Sequence, residues 1–130
     1  MTVFVDTSAL YAVIDRADPI HASMAARFRE LATRTPVTHN YVVVESAALV
    51  ARRLGSEAAR DLLVDVLAPV EIVWIDETIH RAAAGAYLAG GRDGPSLVDC
   101  ASFEIMRRRG IREALAVDRH FVDAGFELVA

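Results

Sequence analysis

Short apolar runs alternate along the chain with longer segments in which apolar side chains recur every three or four residues. Short runs bounded by turn-forming residues are typical of buried strands, whereas the recurring pattern is typical of helices that bury one face. We therefore predict strands over residues 3–5, 36–38, 70–75 and 114–117, and a last short strand or edge segment over residues 126–129.

Capping residues indicate where the helices between these strands begin and end. Ser, Asp and Asn favour the position before a helix, Pro favours its first position, and Gly favours the position after its end. Val42, Val43 and Val44 have strand propensity, but the alanine-rich continuation and Gly55 favour a helix there. The predicted helices cover residues 9–14, 18–33, 40–55, 56–69, 76–88 and 96–110, and the last five begin at Asp18, Asn40, Ser56, Asp76 and Ser96.

The alternation of strands and helices defines the fold class that we expect. Connections long enough to cross the sheet favour parallel pairing with helices packed against the sheet. No linker, repeat or low-complexity segment interrupts the pattern. We predict a single α/β domain over residues 1–130, with a mainly parallel central sheet of four or five strands.

The composition is typical of a globular protein of the cytoplasm. Of the 130 residues, 54% are hydrophobic and 25% are charged, which suffices for a core without disulfides. Cys100 is the only cysteine, and the chain opens without the basic and apolar segments of a signal peptide. No apolar run is long enough to cross a bilayer. We therefore expect a soluble protein of the reducing cytoplasm, with no membrane partner.

The charged residues exclude several classes of function. The chain carries 14 basic and 18 acidic residues, for a net charge of -4, so it cannot coat a nucleic acid by its overall charge. Every basic residue is an arginine. Without lysine the chain cannot form a Walker A loop, a Schiff base or the nucleotide site of a kinase.

Four carboxylates lie where a parallel sheet forms its binding sites, beyond the carboxyl ends of its strands. Asp6 follows the first predicted strand and Asp118 follows the fourth. Asp99 lies in the first turn of the helix that precedes the fourth strand. Glu45 interrupts an apolar run, where a lone carboxylate needs solvent or a cation.

Each carboxylate also has an ordinary structural explanation. Asp6 can cap the following helix, Asp99 can complete a capping box with Ser96, and Asp118 can form a turn. Glu45 can lie on a solvated helix face. Four converging carboxylates, however, would repel one another unless a cation neutralised them, and Mg²⁺ or Mn²⁺ suits such oxygen ligands.

Four segments of the chain resemble the four acidic motifs of PIN-domain ribonucleases, in the same order. The segments are VDTSAL at residues 5–10, Glu45, SLVDC at residues 96–100 and AVDRHF at residues 116–121. The similarity is greatest to the VapC-type toxins of bacterial toxin–antitoxin pairs. It implies a PIN-like three-layer α/β/α sandwich over nearly the whole chain.

The resemblance also implies a role for each residue of the site. Asp6, Glu45, Asp99 and Asp118 would form an acidic pocket, with Ser8 as a polar helper. Asp6 and Asp99 would bind Mg²⁺, or Mn²⁺ in its place, directly. Glu45 and Asp118 would act through water or complete a second metal position. The ion would activate water and offset the charge that builds on the scissile phosphate.

The function that the resemblance implies is metal-dependent cleavage of RNA phosphodiester bonds by the toxin of a VapBC-type pair. It further implies a homodimer and a cognate VapB-type antitoxin that masks the acidic pocket. Two alternatives stay open, namely an RNA-processing nuclease without a role in growth control and a PIN-like binding module without catalysis. A phospho-acceptor receiver domain fits poorly without lysine, and an Asp-x-Asp phosphatase fits poorly because the second position is Ser8.

Arginine side chains would hold the RNA, because arginine binds phosphate with two parallel hydrogen bonds. We favour Arg16, Arg92 and Arg119 for this role, since each follows or adjoins an acidic motif. Arg52, Arg53 and the run over residues 107–109 have a structural explanation, because cations stabilise the carboxyl ends of helices.

Other polar residues near the motifs are assigned to structure rather than chemistry. Asp93 is a fifth carboxylate; some similar sequences carry an acidic residue before the third motif, but we favour a turn with the glycines and proline around it. His120 can contact the site, but we favour a turn residue beside Phe121, which packs in the core. The three remaining histidines lack the spacing of metal ligands; they are His21, His39 and His80.

Overall fold

The computed structural model describes residues 1–129 and contains a five-stranded sheet in which all neighbouring strands are parallel. The strands are β1 (Thr2–Val5), β2 (Thr35–His39), β3 (Glu71–Val73), β4 (Glu113–Leu115) and β5 (Glu127–Leu128). Their order across the sheet is β3-β2-β1-β4-β5, so the first strand is central. The parallel sheet predicted from the sequence is confirmed.

Helices occupy the connections between the strands. They are α1 (Thr7–Ile14), α2 (His21–Glu30), α3 (Asn40–Leu54), α4 (Ser56–Asp61), α5 (Glu77–Gly90), α6 (Leu97–Arg109) and α7 (His120–Asp123). The first four lead the chain outward from β1 to β3, whereas α5 and α6 return it to β4 on the other side of β1. Because such crossovers are right-handed, the two groups cover opposite faces. The three-layer sandwich is confirmed.

The central strand is apolar from Val3 to Val5 because both of its faces are covered there. Val3, Phe4 and Val5 are fully buried, and β1 pairs with β2 on one side and with β4 on the other. Continuous apolar sequence is typical of such a strand. The first polar residue after it is Asp6, which therefore stands at the carboxyl edge of the sheet.

Three of the predicted helix starts are wrong. Asp18 does not cap α2, because its Oδ1 accepts the N–H of Ile20 at 2.9 Å and forms a local turn. Ser56 is the first residue of α4 rather than its cap, which is Gly55. Asn40 does not cap α3, because its side-chain oxygen accepts the N–H of Ile75 at 2.7 Å. The remaining two predicted caps, Asp76 and Ser96, accept N–H groups of the first turn as expected.

The cap of α3 is a buried histidine that the sequence analysis did not assign to any role. His39 accepts the N–H of Val42 through Nδ1 at 3.3 Å, so its proton lies on Nε2. Nε2 then donates to Ser102 Oγ at 2.8 Å, and Ser102 donates to the carbonyl of Val98 at 3.0 Å. The side chain of His39 is thus fully hydrogen-bonded in its neutral form and ties β2 to α6.

Leu63 is exposed, although a regular helix over the predicted residues 56–69 would turn it towards the core together with Leu62 and Leu67. After Asp61 the chain continues as a π-helical turn over Leu62–Val66, in which hydrogen bonds span five residues rather than four. The N–H of Leu67 accordingly bonds to the carbonyl of Leu62 at 3.0 Å. This wider turn points Leu62 and Leu67 inward together and leaves Leu63 48% exposed.

The segment after β4 is a short helix rather than the predicted turn. Phe121 of α7 is fully buried, as expected, and packs against Phe4 and Phe103 with ring centroids 5.9 and 5.1 Å away. This aromatic anchor fixes α7 beside the carboxyl end of β4. In the described part of the chain, no helix is both long and apolar enough to span a membrane.

Candidate active site

The site forms where the direction of the chain across the sheet reverses. From β1 the chain runs to β2 and β3 on one side, and later to β4 and β5 on the other. The crevice beyond the carboxyl ends of two strands that lead in opposite directions is the usual binding site of an open α/β sheet. Here that crevice lies between the ends of β1 and β4, followed by Asp6 and Asp118.

All five predicted site residues line one open cleft of about 510 Å³ at this edge, which we call the acidic cleft. They come from the end of β1, the start of α1, the middle of α3, the start of α6 and the loop after β4. The residues that line the acidic cleft are Asp6, Thr7, Ser8, Glu45, Ala48, Leu49, Arg52, Ser96, Asp99 and Asp118.

Asp6 is the most deeply buried carboxylate of the cleft, with 3% of its surface exposed. It caps α1, since its Oδ2 accepts the N–H and the hydroxyl of Ser8 at 3.2 and 2.7 Å. The pKa of Asp6 is raised to about 7, mainly by burial and in smaller part by repulsion from Asp99 and Asp118, while the bonds from Ser8 oppose the rise. The capping explanation is therefore correct, and it does not account for the proximity of the other two carboxylates.

Ser8 links the two strand ends that form the cleft. Its hydroxyl donates to Asp6 and accepts the N–H of Val117, in the loop after β4, at 3.0 Å. The residue therefore fixes the orientation of the Asp6 carboxylate and the position of the loop that carries Asp118.

Asp99 is placed by the start of α6 and turns its carboxylate into the cleft. Its N–H donates to Ser96 Oγ at 3.0 Å, which is one half of the predicted capping box. The other half would need the carboxylate to reach back to the N–H of Ser96. Asp99 Oδ2 instead contacts His120 Nδ1 at 3.1 Å.

Asp118 and His120 complete a compact group of ligand atoms with Asp99. One such atom from each residue lies within 4.8 Å of the other two. Asp118 Oδ1 accepts the backbone N–H of His120 at 3.0 Å, which fixes the loop. The preference for a turn role alone at His120 is wrong, because its imidazole contacts Asp99; its place in the fourth acidic motif, two residues after Asp118, was the available signal.

Glu45 and Arg52 form the α3 side of the cleft. They are seven residues apart, so two helical turns place them on the same face of α3, and both are exposed. Glu45 thus combines the solvated face expected for a lone carboxylate with a position at the cleft. Arg52 was assigned to the helix end alone, and that assignment missed its contact with the cleft.

The other arginines proposed from the sequence lie elsewhere. Among the described residues, the lining of the acidic cleft does not include Arg16, Arg92 or Arg119, all of which are exposed. Arg53 packs over the ring of Tyr11, 5.4 Å from its centroid. Asp93 lies in a turn and lines a separate cavity of about 410 Å³ on the far side of His120.

The donor set of the acidic cleft fits a divalent cation that prefers oxygen ligands. Asp6, Asp99 and Asp118 contribute three carboxylates, and those of Asp99 and Asp118 lie close enough to Asp6 to raise its pKa. Without a cation, ionisation of Asp6 near neutral pH carries a cost in burial and in charge repulsion, so the protonated form is favoured. A hard divalent ion would remove that cost, and carboxylate oxygens are its preferred ligands.

The fold and the position of these carboxylates define a PIN domain. The model of the PIN domain family matches residues 3–127, so the chain belongs to the PIN-domain family. The resemblance inferred from the four acidic motifs is confirmed.

Within this family, the chain is similar to a toxin of known specificity. It is 32% identical over 127 residues, or 95% of each chain, to the 23S rRNA-specific endonuclease VapC20 of Mycobacterium tuberculosis. The crystal structure of that protein, described as a sarcin–ricin loop cleaving toxin, superposes with a TM-score of 0.84 over 95% of both chains, at 29% identity.

Two further solved structures share the fold at lower identity. VapBC2 from Rickettsia felis, bound to a DNA fragment from its promoter, gives a TM-score of 0.73 at 14% identity, covering 99% of this chain and 98% of that one. PAE2754 from Pyrobaculum aerophilum gives 0.66 at 16% identity, covering 99% and 90%. At these identities the likeness supports the fold alone.

Proposed function

We propose that this chain is a Mg²⁺-dependent endoribonuclease, with Mn²⁺ as a substitute, that acts as the toxin of a VapBC-type pair. The observation that carries the proposal is that Asp6, Glu45, Asp99 and Asp118, from distant parts of the sequence, line one cleft. A stable fold gains nothing from concentrating four carboxylates at one place, whereas a metal-dependent hydrolase requires it.

Asp6 and Asp99 are the residues that would hold the ion directly. Both residues are buried and placed by the starts of helices: Ser8 holds the Asp6 carboxylate, and the bond to Ser96 fixes the backbone of Asp99. Glu45 is exposed at the rim and would act through water. When bound, the ion activates water and stabilises the charge that develops on the phosphate.

The remaining residues of the cleft would position the substrate. The Arg52 guanidinium lines the same cleft as the carboxylates and can bind a phosphate oxygen next to the scissile bond. Ser8 keeps the Asp6 carboxylate aimed into the cleft. The openness of this cleft to solvent suits a phosphodiester within a long RNA better than a small substrate.

We further propose ribosomal RNA as the substrate class. VapC20 cleaves 23S rRNA, as its name states, and it is similar to this chain over 95% of both lengths. The acidic cleft itself selects phosphodiesters rather than a base sequence, so the choice of RNA would come from the surrounding loops and from RNA shape.

The partner that follows from this proposal is a VapB-type antitoxin with a basic segment. The acidic cleft, in a chain with a net charge of -4, attracts a cationic side chain. Such a side chain would block binding of both the ion and the RNA. We also propose that the chain acts in the cytoplasm and as a homodimer, in agreement with the expectations from the sequence.

Mapping of new RNA ends after brief induction of the chain tests the proposal. We expect discrete ends in one ribosomal RNA and arrest of growth, both absent for Asp99→Asn. Asp61→Asn, which changes an exposed carboxylate of α4 outside the lining of the cleft, is the control and should behave as the wild type. Unchanged RNA ends with the wild type, or full activity in Asp99→Asn, would contradict the proposal.

The same experiment separates the two alternatives. An RNA-processing nuclease would generate defined ends without growth arrest, and no reading frame for a small DNA-binding antitoxin would adjoin its gene. A binding module without catalysis would generate no ends, and calorimetry with Mn²⁺ would register no binding at the cleft.

A further inference from the structure

An imidazole nitrogen lies beside two of the carboxylates that line the acidic cleft, although His120 itself lines the neighbouring cavity with Asp93. His120 Nδ1 is 3.1 Å from Asp99 Oδ2, and a ligand atom of Asp118 lies within 4.8 Å of the ligand atoms of both. Asp6, Glu45 and Ser8 offer only oxygen. His120 therefore adds a nitrogen donor beside two of the carboxylates.

The separation of these atoms suits ligands of one ion. In an octahedral site with bonds of about 2.1 Å, neighbouring ligands lie about 3 Å apart and opposite ligands about 4 Å apart. The 3.1 Å between His120 Nδ1 and Asp99 Oδ2 matches the neighbouring separation. An ion can therefore replace the hydrogen bond between them without a large movement of either side chain.

The backbone around His120 is fixed, while its ring is accessible. Phe121, the next residue, is fully buried, and Asp118 Oδ1 holds the N–H of His120 at 3.0 Å. The His120 side chain itself is 45% exposed. Preorganised backbone with an open ring is the arrangement expected of a ligand that receives its ion from solvent.

We propose that His120 Nδ1, together with Asp99 and Asp118, is a ligand of the divalent ion, and that the chain for this reason binds Mn²⁺ more tightly than Mg²⁺. The inference rests on the proposed function, since it concerns the ion used for RNA cleavage. Mg²⁺ binds oxygen almost exclusively, whereas imidazole is a good ligand for transition metals. In the bound form the ring carries its proton on Nε2, so that the Nδ1 lone pair faces the ion.

A purely structural role for His120 makes a different prediction. If the ring only held the Asp99 carboxylate in place, an asparagine would serve, because its side-chain N–H stands at the same distance from the backbone as Nδ1 and can donate to Asp99. An amide nitrogen has no lone pair available for a metal. The amide oxygen of asparagine can bind an ion but gives no coupling from a coordinated nitrogen. His120→Asn therefore separates the hydrogen bond from ligation by nitrogen, and His120→Ala removes both.

The test uses the full chain loaded with Mn²⁺ alone. Pulsed EPR should detect a ¹⁴N coupling from coordinated imidazole in the wild type and in His80→Asn, which removes an exposed ring bonded to Tyr41. The coupling should be absent in His120→Asn and His120→Ala. Calorimetry should show Mn²⁺ affinity weakened about tenfold or more in His120→Ala, with Mg²⁺ affinity changed less than about threefold.

The proposal is overturned if the wild type shows no nitrogen coupling, or if His120→Ala binds Mn²⁺ as the wild type does. These outcomes are distinguishable from failure of the proposed function. A chain that cleaves RNA with Mg²⁺ but shows no nitrogen coupling contradicts only the role of His120. A chain that binds Mn²⁺ through nitrogen but cleaves no RNA contradicts the proposed function.

Discussion

At the scale of single residues, Asp6 has two opposing effects on the stability of the fold. As the cap of α1 it stabilises the fold through its bonds to Ser8. As a charged group with 3% exposure it destabilises the fold when no cation is present. This cost of burying a charge is the main cause of the raised pKa of Asp6, about 7.

We predict that Asp6→Asn is more stable than the wild type at pH 8 without divalent ions. The pKa of Asp6 is raised from 3.8 to about 7 in the folded state, so its contribution to stability is full below pH 3.8 and is lost as the pH rises to about 7. The loss is at most about 4 kcal/mol. Asparagine caps a helix nearly as well and carries no charge.

Thermal unfolding in EDTA at pH 5 and pH 8 measures this difference. The wild type should lose stability between the two pH values by more than Asp6→Asn does, and Mg²⁺ should stabilise the wild type alone. A variant that is less stable than the wild type at both pH values would contradict the explanation.

For His39 we predict the opposite dependence of stability on pH, with a loss of stability in acid. Burial lowers its pKa from 6.5 to about 4, so the stability it contributes is full above pH 6.5 and is lost as the pH falls to about 4. The loss corresponds to about 3 kcal/mol. Urea unfolding at pH 7 and pH 4.5 measures it.

His39→Asn is the matched variant for this prediction. Its side-chain oxygen can still accept the N–H of Val42 as a helix cap, but the group does not titrate in this range. The variant should start from a lower stability, because it cannot reach Ser102. Its stability should then fall less between pH 7 and pH 4.5, and an equal fall would count against protonation of His39.

At the scale of elements, the starts of α1 and α6 position the buried carboxylates. Asp6 precedes α1 and Asp99 lies in the first turn of α6, so the same backbone groups that begin each helix orient a side chain of the site. Ser96 is the residue that fixes the second of these helix starts.

We predict that Ser96→Ala lowers the free energy of unfolding by about 1 kcal/mol, the usual cost of a lost helix cap. It should also weaken metal binding, because the first turn of α6 that carries Asp99 loses its fixed start. Ser96→Asp restores a capping oxygen and should recover most of the stability. Chemical denaturation combined with Mn²⁺ calorimetry measures both effects; unchanged stability in Ser96→Ala would show that the cap is dispensable.

Local sequence predicts these elements where the cap is a short polar side chain and fails where tertiary contacts decide. Asp76 and Ser96 act as caps as expected. His39 replaces Asn40 as the cap of α3, because Asn40 is drawn to the end of β3. The π-helical turn that exposes Leu63 is likewise outside any pattern of 3.6-residue period.

At the scale of the whole molecule, the alternation of strands and helices was sufficient to predict a parallel sheet, but not the order of its strands. After α5 and α6 the chain re-enters the sheet on the side of β1 opposite to β2, which reverses its direction across the sheet. No local sequence pattern specifies this point of entry. That order brings Asp6 and Asp118, 112 positions apart in the sequence, to adjacent strand ends. Their positions after strands predicted the shared edge; the contact of His120 with Asp99 required the fold itself.

The charge of the whole molecule sets a further expectation for RNA binding. With a net charge of -4 and carboxylates in the cleft, the chain repels RNA until cations neutralise the site. Arg52 is the arginine that lines the cleft among the described residues. Arg52→Gln should therefore weaken RNA binding and raise KM by about tenfold with little change in Mg²⁺ affinity. Equal cleavage kinetics for both proteins would remove Arg52 from the substrate site.

The central claim is that the acidic cleft cuts RNA with the help of a divalent cation. Its most direct test is cleavage of purified ribosomal RNA by the purified chain, followed at single-nucleotide resolution in EDTA and in Mg²⁺. We expect a defined cut that requires Mg²⁺. Its rate should be reduced about a hundredfold or more in Asp99→Asn and should be unchanged in Asp61→Asn. Cleavage that persists in EDTA, or that survives in Asp99→Asn at the rate of the wild type, would contradict it.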